Sequence, residues 1–102
     1  MILVRMTFKA KYGKAGEMVQ HFRENQQEFQ RLINVPTRVL TDLSGPFDTV
    51  VLEQTVESLD GYEKMLQQAF SDPDTAQLFA MLQPLIESGS REFYRIEVES
   101  GR

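Results

Sequence analysis

Apolar and polar residues alternate strictly at the start of the chain. Ile2, Val4, Met6, Phe8 and Ala10 fall on one side; Leu3, Arg5, Thr7 and Lys9 fall on the other. A period of two predicts a strand over residues 2–10 with one firmly apolar face. Tyr12-Gly13-Lys14-Ala15-Gly16 then supplies two glycines, which free the backbone to turn. From about Lys14 to Ile33 the spacing lengthens, with Met18, Phe22, Phe29 and Ile33 recurring at helical intervals. The opposite face carries Glu17, Arg23, Glu24 and Arg31, and Asn25 and Gln26 interrupt the apolar stripe. The pattern predicts one amphipathic helix laid on a sheet, stopped by Asn34 and Pro36 because proline disfavours helical geometry in the residue before it.

Two strands are predicted next, Thr37–Leu43 and Thr49–Val56, joined as an antiparallel hairpin through Ser44-Gly45-Pro46-Phe47-Asp48. Ser58 suits the cap of a second helix carrying Leu59, Tyr62, Leu66 and Phe70. Asp72 and Pro73 suit the cap and first position of a third. That helix is expected to run to about Ser88 with Ala76, Phe79, Leu82 and Ile86 inward, kinked at Pro84 and ended by Gly89. A last strand over about 91–99 sets Tyr94, Ile96 and Val98 against Phe93, Arg95 and Glu97. The order β-α-β-β-α-α-β predicts an α+β fold of ferredoxin-like plan: a four-stranded antiparallel sheet with all helices on one face. One domain over residues 1–102 is expected.

The second face of that sheet changes the picture. If Ile2, Val4, Met6 and Phe8 meet the helices, then Val39, Leu43, Val50, Leu52, Tyr94, Ile96 and Val98 should join them. The other face would carry Leu3, Leu40, Val51 and Phe93 among Arg5, Arg38, Asp42, Glu53 and Arg95. A face of that kind is too apolar to leave wet. A second copy of the chain would cover it, so a homodimer is the expected partner. Arg5 should lie near Glu53 on adjacent strands, with Asp42 and Arg95 flanking. These charges are the candidate ligand-binding residues: an arginine orients an acidic or carbonyl-bearing small molecule and a carboxylate accepts a proton. The same charges could instead neutralise one another as an ion-pair network at the dimer seam.

Composition excludes several chemistries. Across 102 residues the net charge is −4, and the positive residues are interleaved with acids, which argues against nucleic acid as a partner. Cysteine is absent, removing disulfides, thiolate nucleophiles and cysteine-held metals. Charge at Arg5 interrupts the opening residues too early for a signal-peptide core, and no apolar run approaches the ~20 residues that span a bilayer. A cytoplasmic location without membrane attachment is expected. His21 is the sole histidine and joins the candidate list as the usual neutral-pH base, although its place beside Met18 and Phe22 reads as a helix boundary position. Neither a metal site nor a cofactor site is expected.

Taken over nearly the whole chain, the pattern resembles the dimeric α+β barrel superfamily, including NIPSNAP-like and antibiotic-biosynthesis-monooxygenase-like proteins. The strand Ile2–Ala10 with Tyr12-Gly13-Lys14-Ala15-Gly16-Glu17, the Phe22 helix and Val50-Val51-Leu52-Glu53 carry the likeness. So do Ser71-Asp72-Pro73 and the closing Glu87-Ser88-Gly89-Ser90-Arg91-Glu92-Phe93-Tyr94. The resemblance implies pairing of two sheets and leaves three functions open. One is small-molecule binding near the dimer seam. The second is cofactor-independent oxygenation of an aromatic or polyketide-like substrate, which requires a cavity between sheet and helices large enough for rings. The third is a purely structural or protein-interaction dimer. Haem-degrading members place a histidine on a helix in the second half, and no histidine follows residue 58 here.

Overall fold

Ile2–Ala10 forms β1, paired on both edges in the interior of a sheet, and its alternate apolar positions give that sheet one buried face. A computed structural model describes residues 1–101. After β1 come α1 (Ala15–Glu24), α2 (Gln26–Leu32), β2 (Thr37–Thr41) and β3 (Thr49–Val56). Then follow α3 (Leu59–Ser71), α4 (Pro73–Leu82), a 3-10 turn (Gln83–Leu85) and β4 (Ile86–Arg95). The strands lie in the order β2-β3-β1-β4 and every neighbouring pair is antiparallel. This is the ferredoxin-like α+β fold that the sequence predicts.

The helices pack on the even-numbered face of β1. Ala10 and Val50 bury with Met18 of α1 and Leu82 of α4, while Val4 and Val56 bury with Tyr62 of α3. Val4, Met18 and Val50 have no exposed surface at all. Ser58 caps α3 by accepting the Gly61 N–H at 3.0 Å, and Asp72 caps α4 by accepting the Asp74 N–H at 2.9 Å. The N-terminus of α1 is capped from far away in sequence. Asp48, in the β2–β3 loop at φ 59°, accepts the N–H groups of Gly13 at 2.9 Å and Ala15 at 3.2 Å. No helix of the described residues is long and apolar enough to cross a membrane.

Three boundaries depart from the sequence reading. The expected helix over 14–33 is two helices, because Asn25 leaves helical geometry (φ −115°, ψ 23°). Its side-chain amide bonds both the carbonyl and the ring Nδ1 of His21, an alternative to the helical ladder that asparagine commonly takes. The third helix stops at Leu82 rather than Ser88. Pro84 sits in the 3-10 turn, and Ile86 already begins β4, which pairs with the full length of β1. Gly89 is therefore a strand residue. A side chain there would meet the Phe8 ring at 3.0 Å, so glycine lets that ring lie over the strand. Finally, β2 ends at Thr41, leaving Leu43 fully exposed in the loop instead of on the helix face.

Candidate functional site

The register decides which charges meet. Arg5 lies opposite Glu53 across β1 and β3, and Arg38 lies opposite Glu53 across β2 and β3. Only 6% of Glu53 is exposed, and both its oxygens are occupied. Oε2 accepts Arg5 Nε at 2.9 Å, and Oε1 accepts Arg38 Nε at 2.9 Å and Nη2 at 2.6 Å. The hydrogen bonds from Arg38 foremost, then those from Arg5, hold the Glu53 carboxyl below the usual carboxylate range against the opposing effect of burial. A carboxylate so held is a poor proton acceptor near neutral pH.

The other candidates lie elsewhere. Phase along β4 is the reverse of the expected one: Phe93 faces Val4 and Arg95 faces Ile2, so both are on the helix side, while Tyr94 is on the outer side opposite Leu3. Arg95 reaches Glu97 at 3.7 Å and is separated from the Arg5–Glu53 pair by the sheet itself. Ile96 and Val98 lie beyond β4. Asp42 follows the end of β2 and closes the hairpin, accepting the Thr49 N–H at 2.9 Å. His21 is not a boundary residue but is buried between α1 and α4, 6% exposed. Its Nε2 donates to the Leu78 carbonyl at 3.0 Å, and its Nδ1 lies 3.1 Å from the Asn25 side-chain amide. In place of Arg95, the outer face brings Tyr94 to the cluster. The Arg5 guanidinium stacks over its ring at 5.5 Å, and its hydroxyl donates to Glu92 at 2.8 Å, a bond that pushes the Tyr94 pKa up.

This triad ties stability to pH. A carboxyl whose folded pKa is depressed stabilises the fold above its unfolded value, and that contribution is lost as pH falls through the folded one. Resistance to urea should therefore fall as pH drops below about 4.5, the ordinary range of a glutamate. The variant Glu53→Gln should be less stable than wild type at pH 7, with the difference shrinking by pH 3. A constant difference across that window would contradict the assignment.

The sheet's helix-facing side holds the larger feature, a cavity of about 440 Å³. Met6, Leu52, Val39 and Phe8 form its floor. Phe22 and Phe29 of the first two helices, Leu66 and Phe70 of α3, and Phe79 of α4 form its roof. The roof rings pack on one another: Phe22 and Phe29 at 5.1 Å between centroids, Phe29 and Phe79 at 6.1 Å in an edge-to-face arrangement. Phe70, 63% exposed, stands at the rim. Four polar side chains line it from the sheet, Thr37, Thr41, Gln54 and Arg91, and Arg23, Gln26 and Gln30 line it from the helices. Gln54 is 5% exposed, and its Oε1 is wholly buried without a hydrogen-bond partner. Arg91 lies across β1 from Met6, its guanidinium 6.0 Å from the Tyr62 ring centroid and 5.6 Å from that of Phe93. Neither residue stood out in the sequence. Gln54 alternates with Leu52 and Val56 on an apolar face, and that polar interruption was the available signal.

A four-stranded antiparallel sheet, helices on one side and a partly open cavity between them define a ferredoxin-like small-domain class. Solved structures that match within it include NIPSNAP-family and antibiotic-biosynthesis-monooxygenase-like proteins. A NIPSNAP domain protein from Burkholderia xenovorans superimposes with a TM-score of 0.88 at 16% identity, covering 100% of each chain. A NIPSNAP family protein from Agrobacterium tumefaciens gives 0.85 at 17% identity, over 92% of this chain and 86% of that one. A variant of SnoaB, a cofactor-independent oxygenase from Streptomyces nogalater, gives 0.69 at 14% identity over 96% and 94%. Identities this low establish the common fold alone. No protein-family model matches the sequence, and no curated protein aligns with it significantly.

Proposed function

We propose that this protein binds a small ring-containing molecule in the cavity between sheet and helices, and that two copies pair through the outer sheet face. The observation carrying the first part is a cavity of about 440 Å³ walled mainly by aromatic and aliphatic side chains, with the buried, unpartnered Gln54 Oε1 in its floor. Leaving such an acceptor unsatisfied costs about 1–3 kcal/mol, and a ligand that donates to it recovers the bond. The volume falls in the range of small-molecule sites, and aromatic walls with few polar groups are their usual lining. The expectation of binding near the seam is thereby moved to the opposite side of the sheet. The pairing rests on Leu40 and Val51, which lie side by side on the outer face next to an almost fully buried Glu53.

An oxygenase such as SnoaB suggests turnover as a second reading, and the cavity meets its need for room to hold rings. Its lining, however, contains no histidine and no carboxylate to take a proton from a substrate. Binding without turnover is the reading this favours. The test is a thermal-shift measurement of the purified chain with one- and two-ring aromatics, together with oxygen-electrode traces on adding a hydroquinone. Bicyclic aromatics should raise Tm by several degrees through mass action, without oxygen uptake. No shift with any ring compound would refute the site, and sustained oxygen uptake would refute binding without turnover.

A further inference from the structure

We infer that the ligand of this cavity is an organic anion, its negative group held by Arg91 and a hydroxyl or N–H on its far side donating to Gln54. The inference deepens the small-molecule reading above and rests on it. The residues lining the cavity include two arginines, Arg91 and Arg23, and not one aspartate or glutamate. This is unexpected in a chain with 15 acidic and 11 basic residues. Elsewhere the arginines are paired: Arg5 and Arg38 with Glu53, Arg31 with Glu28, Asp72 and Asp74. Among the described residues, Arg91, exposed at the cavity's edge, forms no ion pair, and its guanidinium lies against the rings of Tyr62 and Phe93. A guanidinium fixed on aromatic faces keeps its edge N–H donors free, and those donors match a carboxylate in two parallel bonds.

Spacing sets the shape of the molecule. Gln54 faces Val4 from β3, and Arg91 faces Met6 from β4, so one strand and two residues separate them. From strand spacing and rise, their Cα atoms are about 12 Å apart. A ligand of one or two fused rings standing over these two positions would lie under Phe22, Phe29 and Phe79. Arginine has donors only, so the near group must be an acceptor and is best charged. The orphan Oε1 accepts only, so the far group must carry a hydrogen.

The test is isothermal titration of the full chain with 6-hydroxy-2-naphthoate, 2-naphthoate and neutral 2-naphthol. The hydroxynaphthoate should bind about tenfold or more tighter than 2-naphthol, with the gap narrowing in high salt. Arg91→Met should remove that preference, Arg91→Lys should restore part of it, and Lys9→Met on the outer face should leave it intact. Equal affinity of wild type for the acid and the naphthol, a comparison that needs no variant, would overturn the anion assignment while sparing the cavity as a site. An Arg91→Met protein that still prefers the acid would overturn the role of Arg91. If none of the three compounds binds, the small-molecule reading fails and this inference with it.

Discussion

Replacing Gln54 with methionine is expected to make the free protein more stable and a worse binder. The side chain is 5% exposed and its buried Oε1 has no partner, so the native fold carries a desolvation cost that an apolar residue of similar length lacks. Removing an unsatisfied buried acceptor should add about 1–2 kcal/mol. For a domain near 100 residues, that raises Tm by roughly 4–15 °C. Affinity for 6-hydroxy-2-naphthoate should fall about tenfold, the worth of one buried hydrogen bond, while 2-naphthoate, which lacks the hydroxyl, should bind as before. Stability gained where binding is lost is the signature of a residue kept for function. A destabilised Gln54→Met protein with unchanged hydroxynaphthoate binding would make Gln54 an ordinary core residue.

A lysine at Val51 is expected to dissociate the proposed dimer without unfolding the subunit. Val51 lies in the middle of the outer face, between Thr7 and Leu40, with Arg5, Lys9, Arg38 and Asp42 at the diagonal positions around it. A further ammonium there meets three cations and a single carboxylate, Asp42, whose Oδ1 already accepts the Thr49 N–H, while both oxygens of Glu53 are committed to arginines. Burying it against a second copy of the same face would cost about 3–5 kcal/mol, or roughly two to four orders of magnitude in the dissociation constant. In the free subunit the same side chain can reach water, so circular dichroism should be unchanged. Sedimentation velocity at micromolar concentration should show wild type as a dimer and Val51→Lys as a monomer. A monomeric wild type, or a dimeric variant, would refute the pairing.

Much of this architecture was readable from the order of residues. Alternation over Ile2–Ala10 and over Thr49–Val56 located both central strands, and Ser58, Asp72 and Pro73 located two helix starts through local capping chemistry. Proximity of Arg5 to Glu53 followed once the strand faces were assigned. What escaped was decided at long range. Residues 86–90 look helical next to Leu82 but form strand because β1 offers them a full-length edge. Phe93-Tyr94-Arg95 gives no clear apolar side, so its phase was settled by Phe93 packing at 5.9 Å against Tyr62. That one inversion moved Arg95 off the outer face and Arg91 into the cavity. Asp48 read as a turn residue, and its bonds to Gly13 and Ala15 join loops more than thirty positions apart. Gln54 drew no reading at all, since one polar residue between Leu52 and Val56 has nothing local to mark its missing partner.

The central claim is that binding occurs on the helix side of the sheet, between Gln54 and Arg91. Side-chain signals in a ¹H–¹⁵N correlation spectrum test it most directly, recorded while 6-hydroxy-2-naphthoate is titrated into the uniformly labelled protein. The Gln54 carboxamide and the Arg91 Nε–H should shift together and saturate with a single dissociation constant, while the Nε–H signals of Arg5 and Arg38 stay in place. Movement of the Arg5 and Arg38 signals with Gln54 and Arg91 unchanged would put the ligand on the outer face and contradict the account.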